Sequence, residues 1–300
     1  MEKFPQQTEA IRQALFGWLS SRIDKNAINW LESTAAGLMD EPGDWQLYTS
    51  FSTTPRHTGK EMLNLTAAEL NEAQKLREGW KPVNWSTDQA GRIFLLLSFA
   101  QNGEMEFVDK IEKIFVSSDL GEAVALYQAL PVYPYPDKFI ERAAEGVRSN
   151  MTTVFNAVAL NNPYPMQYLD EGPWNQIVLK ALFVESPLYK IMGLDKRANP
   201  TLAKILIEYA YERWSAGRIV SPELWRVAGP YLTDGSTDDL KRVLENPDEI
   251  QKQAGILALK SSKISQKDEL LELYKVVLEE IEKSNVTWDE IGERYELADG

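Results

Sequence analysis

Along nearly the whole chain, apolar residues return every three or four positions, the spacing of one face of an α-helix. Ile11, Leu15, Trp18 and Leu19 make a first stripe, and Ile28, Leu31, Ala35 and Leu38 a second. Thr66 and Glu69 have capping-box spacing and open a helix through Leu70, Ala73 and Leu76. Residues Thr87 to Gln101 are apolar on most sides, which places that helix in the interior, and Asn102-Gly103 stops it. Ile140, Ala144, Val147, Met151, Val154 and Val158 line up as one long stripe ending at Asn161. No stretch sustains the period-two alternation and hairpin turns that a sheet requires. An all-α protein is predicted, as a single domain over residues 1–300.

Near the C-terminus, DDLKRVLENPDEIQKQAGILALKSS reads as a helix, an Asn-Pro-Asp turn and a second helix, at about 237–262. Such a pair is HEAT-like, each helix burying the face of its neighbour. The predicted architecture is therefore a HEAT/armadillo-like α-α superhelix, with an irregular globular α-bundle as the alternative. Residues 265–300 form an acidic helical region, with eleven acids against four bases.

Composition removes several chemistries. There is no Cys, so disulfides, thiolate metal sites and cysteine nucleophiles are out. The one histidine, His57, lies in the polar stretch TTPRHTGK and reads as a loop residue, which leaves no ground for a His-rich metal site or a Ser-His-Asp triad. A net charge of −13 argues against nucleic acid as a partner. No clustered hard ligands suggest a metal, and no cofactor motif is present. The N-terminus lacks the apolar core of a signal peptide, and the longest apolar run, Ile93 to Ala100, falls far short of the ~20 residues that span a bilayer. A cytoplasmic location is expected.

The charge is uneven, and residues 141–230 hold ten bases against nine acids. Within this near-neutral segment Pro173, Pro200 and Pro222 each precede a run of helix formers, with Asn199 and Ser221 as predicted N-caps. Gly217 is the predicted left-handed C-cap. On the middle helix the ridge Leu202, Leu206, Tyr209 continues into Arg213, while Glu208 and Glu212 lie on a neighbouring face. On the preceding helix Trp174 belongs to the apolar side, and Gln176 and Lys180 are four apart. A buried charge without a partner costs several kcal/mol, roughly, so such cations are either paired structurally or line a polar cavity. The predicted ligand-binding set is Asn175, Gln176, Lys180, Glu212, Arg213 and Arg218, with Trp174, Trp214 and Trp225 as walls. Trp214 is the indole on which Arg213 or Arg218 could stack. Tyr164 and Tyr168, in the Asn162-Pro-Tyr-Pro165 turn, either face a pocket or brace a rigid corner.

These residues also carry a family resemblance. FSTTPRHTGK, WSTDQAGR, ALPVYPYPDKFIERAAEGVRSN, VFNAVALNNPYP, WNQIVLKALF, GLDKRAN, ERWSAGR and PELWR, in this order, resemble the EboA family of metabolite-traffic proteins from the ebo gene cluster of bacteria. The resemblance implies a helical fold and a role in secondary metabolism, moving a small metabolite or precursor toward the cell envelope. It also implies partners from the same cluster: a UbiA-like prenyltransferase, a TatD-like hydrolase and a sugar-phosphate-cyclase-like enzyme. It supplies no catalytic residue, and Tyr211 stands where a His is expected before Glu-Arg-Trp. The expected function is non-enzymatic binding of a small, prenyl-linked or polar metabolite, or of its pathway enzymes. The alternatives are an all-α enzyme acting on an isoprenoid or cyclitol phosphate, and a solenoid protein–protein adaptor.

Overall fold

A computed structural model describes residues 3–299 apart from 41 and 44. Among the described residues there are eighteen α-helices and no strand, and the one β-type contact is an isolated antiparallel bridge between Met62 and Ser86. The fold is all-α. The chain groups into two compact units, Met1–Pro173 and Trp174–Gly300.

The first unit contains α1 (Lys3–Ser20), α2 (Lys25–Met39), α3 (Gln46–Thr58), α4 (Ala67–Leu76) and α5 (Thr87–Phe99). After them come α6 (Glu104–Ser117), α7 (Leu120–Gln128), α8 (Ile140–Arg148), α9 (Thr152–Ala159) and α10 (Tyr164–Tyr168). Helix α5 is buried on almost every side and packs against α1, α2, α3 and α7. Its apolar run from Ile93 to Leu97 suits an element without a solvent face. Thr66 and Glu69 cap α4 reciprocally, as predicted, and Asp88 lies 3.4 Å from Arg92 in the interior. Arg92 also donates Nε to the Phe51 carbonyl. His57 stacks on Trp30, ring centroids 3.9 Å apart, at the end of α3 rather than in a loop.

The long stripe expected from Ile140 to Asn161 is two helices. Ser149 turns the backbone out of the helix (ψ 134°), and its hydroxyl accepts the amide of Met151. Met151 is consequently exposed instead of continuing the buried face. The tyrosine turn is a corner: Tyr164 is buried with its hydroxyl donating to the Pro136 carbonyl. Tyr168, stacked on Tyr164, borders a cavity of about 400 Å³ beside Arg77 and Gln167.

The second unit takes up α11 (Glu171–Phe183) from Trp174 onward, then α12 (Pro200–Ser215), α13 (Leu224–Ala228), α14 (Thr237–Leu244) and α15 (Glu249–Ser261). It closes with α16 (Lys267–Leu273), α17 (Lys275–Ser284) and α18 (Trp288–Asp299). Asn199 caps α12 as predicted, accepting the Leu202 amide at 2.8 Å. Gly217 ends that helix at φ +66°. The Arg218 amide reaches the Arg213 carbonyl and the Gly217 amide reaches that of Trp214, a Schellman closure that a side chain at 217 would strain. Ser221 is not a side-chain cap: its carbonyl accepts the Leu224 amide in a turn, and α13 begins two residues later than Pro222 suggested. The pair expected at 237–262 is α14 packed on α15 around Asn246-Pro247-Asp248. α15 supports both α13 and α18.

Candidate functional site

Three local features build a cavity of about 700 Å³ inside the second unit. The end of α11 supplies Ala181 and Leu182, and the turn after it supplies Glu185, Ser186 and Pro187. The last turns of α12 and its Schellman closure present Tyr209, Arg213, Arg218 and Ile219. Glu223 lies at the start of α13, and Tyr295 and Glu296 of α18 complete the wall.

Arg213 is half-buried, and its Nε donates to the Ile219 carbonyl at 3.0 Å. Among the described residues no carboxylate comes within ion-pairing distance of Arg213 or Arg218. The two guanidinium groups sit near the Tyr209 hydroxyl, which donates to the Leu182 carbonyl. Burial raises the Tyr209 pKa, Glu185 adds to the rise, and the two arginines oppose it.

Glu223 is 2% exposed. Its carboxylate accepts the amides of Leu188 at 3.0 Å and Tyr189 at 2.5 Å. Burial pushes its pKa up to about 7, although those two amides and Arg226 pull the other way. Glu296 accepts from the Tyr189 hydroxyl at 2.6 Å and from Lys190 Nζ at 2.7 Å. Burial raises its pKa, but these two donors outweigh that and leave it below the usual value. α18 is fixed further by Arg226, which holds Asp195 with two bonds of 2.7 and 2.6 Å and Asp289 with one of 2.6 Å.

The predicted site residues separate. Arg213 and Arg218 border the large cavity. Trp214, Trp225 and again Arg218 border a second one of about 270 Å³, shared with Arg242, Asn246 and Gln251. Trp214 is stacked by Arg242, 4.5 Å above its ring, and not by Arg213 or Arg218. Neither cavity is bordered by Trp174, Asn175, Gln176, Lys180 or Glu212. Trp174 is core, with Arg197 over its ring at 4.8 Å. Asn175 is buried against Asn199, each side-chain amide donating to the other at 2.9 and 3.5 Å. Gln176 and Glu212 face solvent. Lys180 is half-buried, and burial lowers its pKa.

Glu223 and Glu296 were not anticipated. Glu223 carries a faint signal, an acid in Pro-Glu-Leu-Trp whose next two residues are core. Glu296 carries none, since it looks like any acid of a solvated helix until α18 packs beside the 3-10 turn at Leu188–Lys190.

Among the described residues no helix is long and apolar enough to cross a membrane. Neither a curated protein nor a solved structure matches the sequence. The family model described as metabolite traffic protein EboA matches residues 11–229, more than half of the 300. On that match, and with an all-α fold in place, the chain belongs to the EboA family of metabolite traffic proteins.

Proposed function

We propose that the protein binds a small anionic metabolite in the cavity bordered by Arg213 and Arg218, without transforming it. The observation that carries this reading is the pair of arginines on one cavity wall with no carboxylate partner, in a chain of net charge −13. In such a chain a guanidinium has many acids to pair with. Two that remain without a carboxylate beside an accessible cavity, Arg213 half-buried and Arg218 exposed, are suited to an anion from outside. Leu182, Pro187 and Ile219 add apolar contact in the same cavity, which suits a ligand with a hydrocarbon portion such as a prenyl group. The cargo would be a metabolite or precursor on its way to the cell envelope, in the cytoplasm. It would be received from, or passed to, the prenyltransferase, hydrolase and cyclase-like enzymes of the same cluster.

One observation favours catalysis: Glu185, Glu223 and Glu296 border the same cavity, as an enzyme acting on an isoprenoid or cyclitol phosphate would need. Their bonding supports binding instead. Both Glu223 oxygens are occupied by backbone amides and both Glu296 oxygens by Tyr189 and Lys190. Among the described residues only Glu185 of the three then has no hydrogen-bond partner, and one free carboxylate is short of an acid–base pair.

Arg213→Met keeps bulk and removes the charge. The purified variant, melted beside the wild type with prenyl phosphates and cyclitol phosphates, should keep its ligand-free melting temperature within about 2 °C. It should lose the upward shift that a bound ligand gives the wild type, and a strain carrying it should lose pathway output. Unchanged ligand shifts together with unchanged output would refute the assignment.

A further inference from the structure

The turn at 217–219 is a wall common to the two cavities described above. The smaller one is unusual in its charge. Its charged borders are Arg218 and Arg242, with no Asp or Glu among them, in a chain with 45 acids and 32 lysines and arginines.

Arg242 is positioned for a ligand by what surrounds it. Its guanidinium lies 4.5 Å over the Trp214 ring, and Trp214 is itself stacked on the buried Trp225, ring centroids 5.8 Å apart at 23°. Stacking engages the flat face of a guanidinium and leaves its N–H edge, which lies in the plane, open to an oxyanion. The acids that precede it on α14 are directed elsewhere. Asp239 accepts the Tyr211 hydroxyl at 2.6 Å, and Asp238 faces Lys241 at 3.9 Å. The side chains of Arg218 and Arg242 make no hydrogen bond or ion pair to any described residue.

The neutral borders add to this. Asn246 Oδ1 accepts the Asp248 amide at 2.9 Å, which leaves the Asn246 NH₂ as its available group, a donor. Gln251 Nε2 is bonded to the Val220 carbonyl at 2.8 Å and fixes the rear of the cavity. The two charged groups here are therefore donors, both exposed: Arg242 lies stacked on Trp214, and Arg218 is carried on the closed turn after α12.

We infer that the smaller cavity is an oxyanion site that takes phosphate or a phosphate monoester, with Arg218 and Arg242 as the charged donors and Asn246 as a neutral one. Arg242, Asn246 and Gln251 lie beyond the residues that the family model matches, while Arg218, Trp214 and Trp225 lie within them. The site shares Arg218 with the metabolite cavity and differs from it in Arg242 and Asn246, which do not border that cavity, and in Arg213, which does not border the smaller one.

The test is a titration of the ¹⁵N-labelled full chain at low ionic strength with orthophosphate, and separately with glycerol 3-phosphate, following the arginine Nε–H signals. Those of Arg218 and Arg242 should shift together. Arg242→Met should raise the Kd about tenfold or more, since it removes a charge-assisted donor set. Arg213→Met should weaken binding less than Arg242→Met does, since Arg213 borders only the larger cavity and reaches the shared turn through the Ile219 carbonyl. Tighter binding of glycerol 3-phosphate would assign the site to a monoester head group, and equal or tighter binding of orthophosphate to the free ion. No shift with either probe, or wild-type affinity in Arg242→Met, would overturn the inference. Loss of binding in Arg213→Met alone would overturn it too, while leaving the metabolite cavity standing. The wild-type titration reads the site directly even if Arg242→Met fails to fold.

Discussion

Gly292 of α18 lies against Glu223 so closely that a Cβ added there would stand 2.7 Å from Glu223 Oε1. The same atom would come within 2.5 Å of Tyr189 Cδ1. A helical glycine usually costs stability relative to alanine, so its presence here is explained by the approach it permits. Gly292→Ala should reverse the usual gain and destabilise the protein by about 1–3 kcal/mol through overpacking. Urea unfolding measures the loss. Hydrogen exchange should locate it in α18, with faster exchange there than in α5.

The Glu223 carboxyl makes stability depend on pH. Its folded pKa of about 7 stands above the ordinary carboxylate value of 4.5 because burial outweighs its amide bonds. The native state thus holds the proton more tightly than the unfolded chain. Its contribution is complete below about pH 4.5 and is lost as pH rises through about 7, by up to about 3 kcal/mol. Urea midpoints taken between pH 5 and 8 should fall more steeply for wild type than for Glu223→Gln. The variant should itself lose about 1–3 kcal/mol at low pH, because one backbone amide then faces an NH₂ group. Parallel midpoint curves would show that Glu223 does not titrate in this range.

Arg226 ties α18 to the loop at Asp195 and is 12% exposed, while Asp195 and Asp289 are largely solvated. Removing it leaves Asp195 and Asp289 to solvent and Glu223 with both its amide bonds, so Arg226→Met should cost about 1–3 kcal/mol rather than the larger penalty of a broken interior pair. Arg226→Lys should recover little of this, since an ammonium cannot reproduce the two-pronged contact with Asp195. Denaturant melts of the three proteins decide between these outcomes.

What was legible in the sequence was local. Thr66 with Glu69, Asn199 before Pro200, and Gly217 after α12 are signals within four residues, and each forms the predicted contact. The helical period was equally plain, because burial on one face needs no knowledge of the partner. The break at Ser149 was missed because Val147 and Val154 keep helical spacing across it. The larger cavity was half legible. Arg213 could be flagged from its ridge, but Tyr189 and Glu296, 107 residues apart, meet only through tertiary packing. Trp214 was correctly seen as a stacking platform and given the wrong cation, since Arg242 arrives from a helix 28 positions away.

Asn175 separates structure from site. It stood in the sequence as a ligand contact, yet its amide is buried against Asn199, whose Oδ1 also caps α12 through the Leu202 amide. Asn199 therefore serves α11 and α12 at once. Asn199→Ala should lose the cap and leave the Asn175 amide without its partner, about 2–3 kcal/mol in all. Asn175→Ala should lose less, about 1–2 kcal/mol, because the cap survives. Both should bind ligand as wild type does when assayed well below their melting temperatures, since neither residue borders the Arg213 cavity or the Arg242 cavity. The measurement is the melting temperature of each variant with and without saturating ligand. A lowered baseline with an undiminished ligand shift is the expected pattern. A diminished shift at an unchanged baseline would return Asn175 to the binding surface.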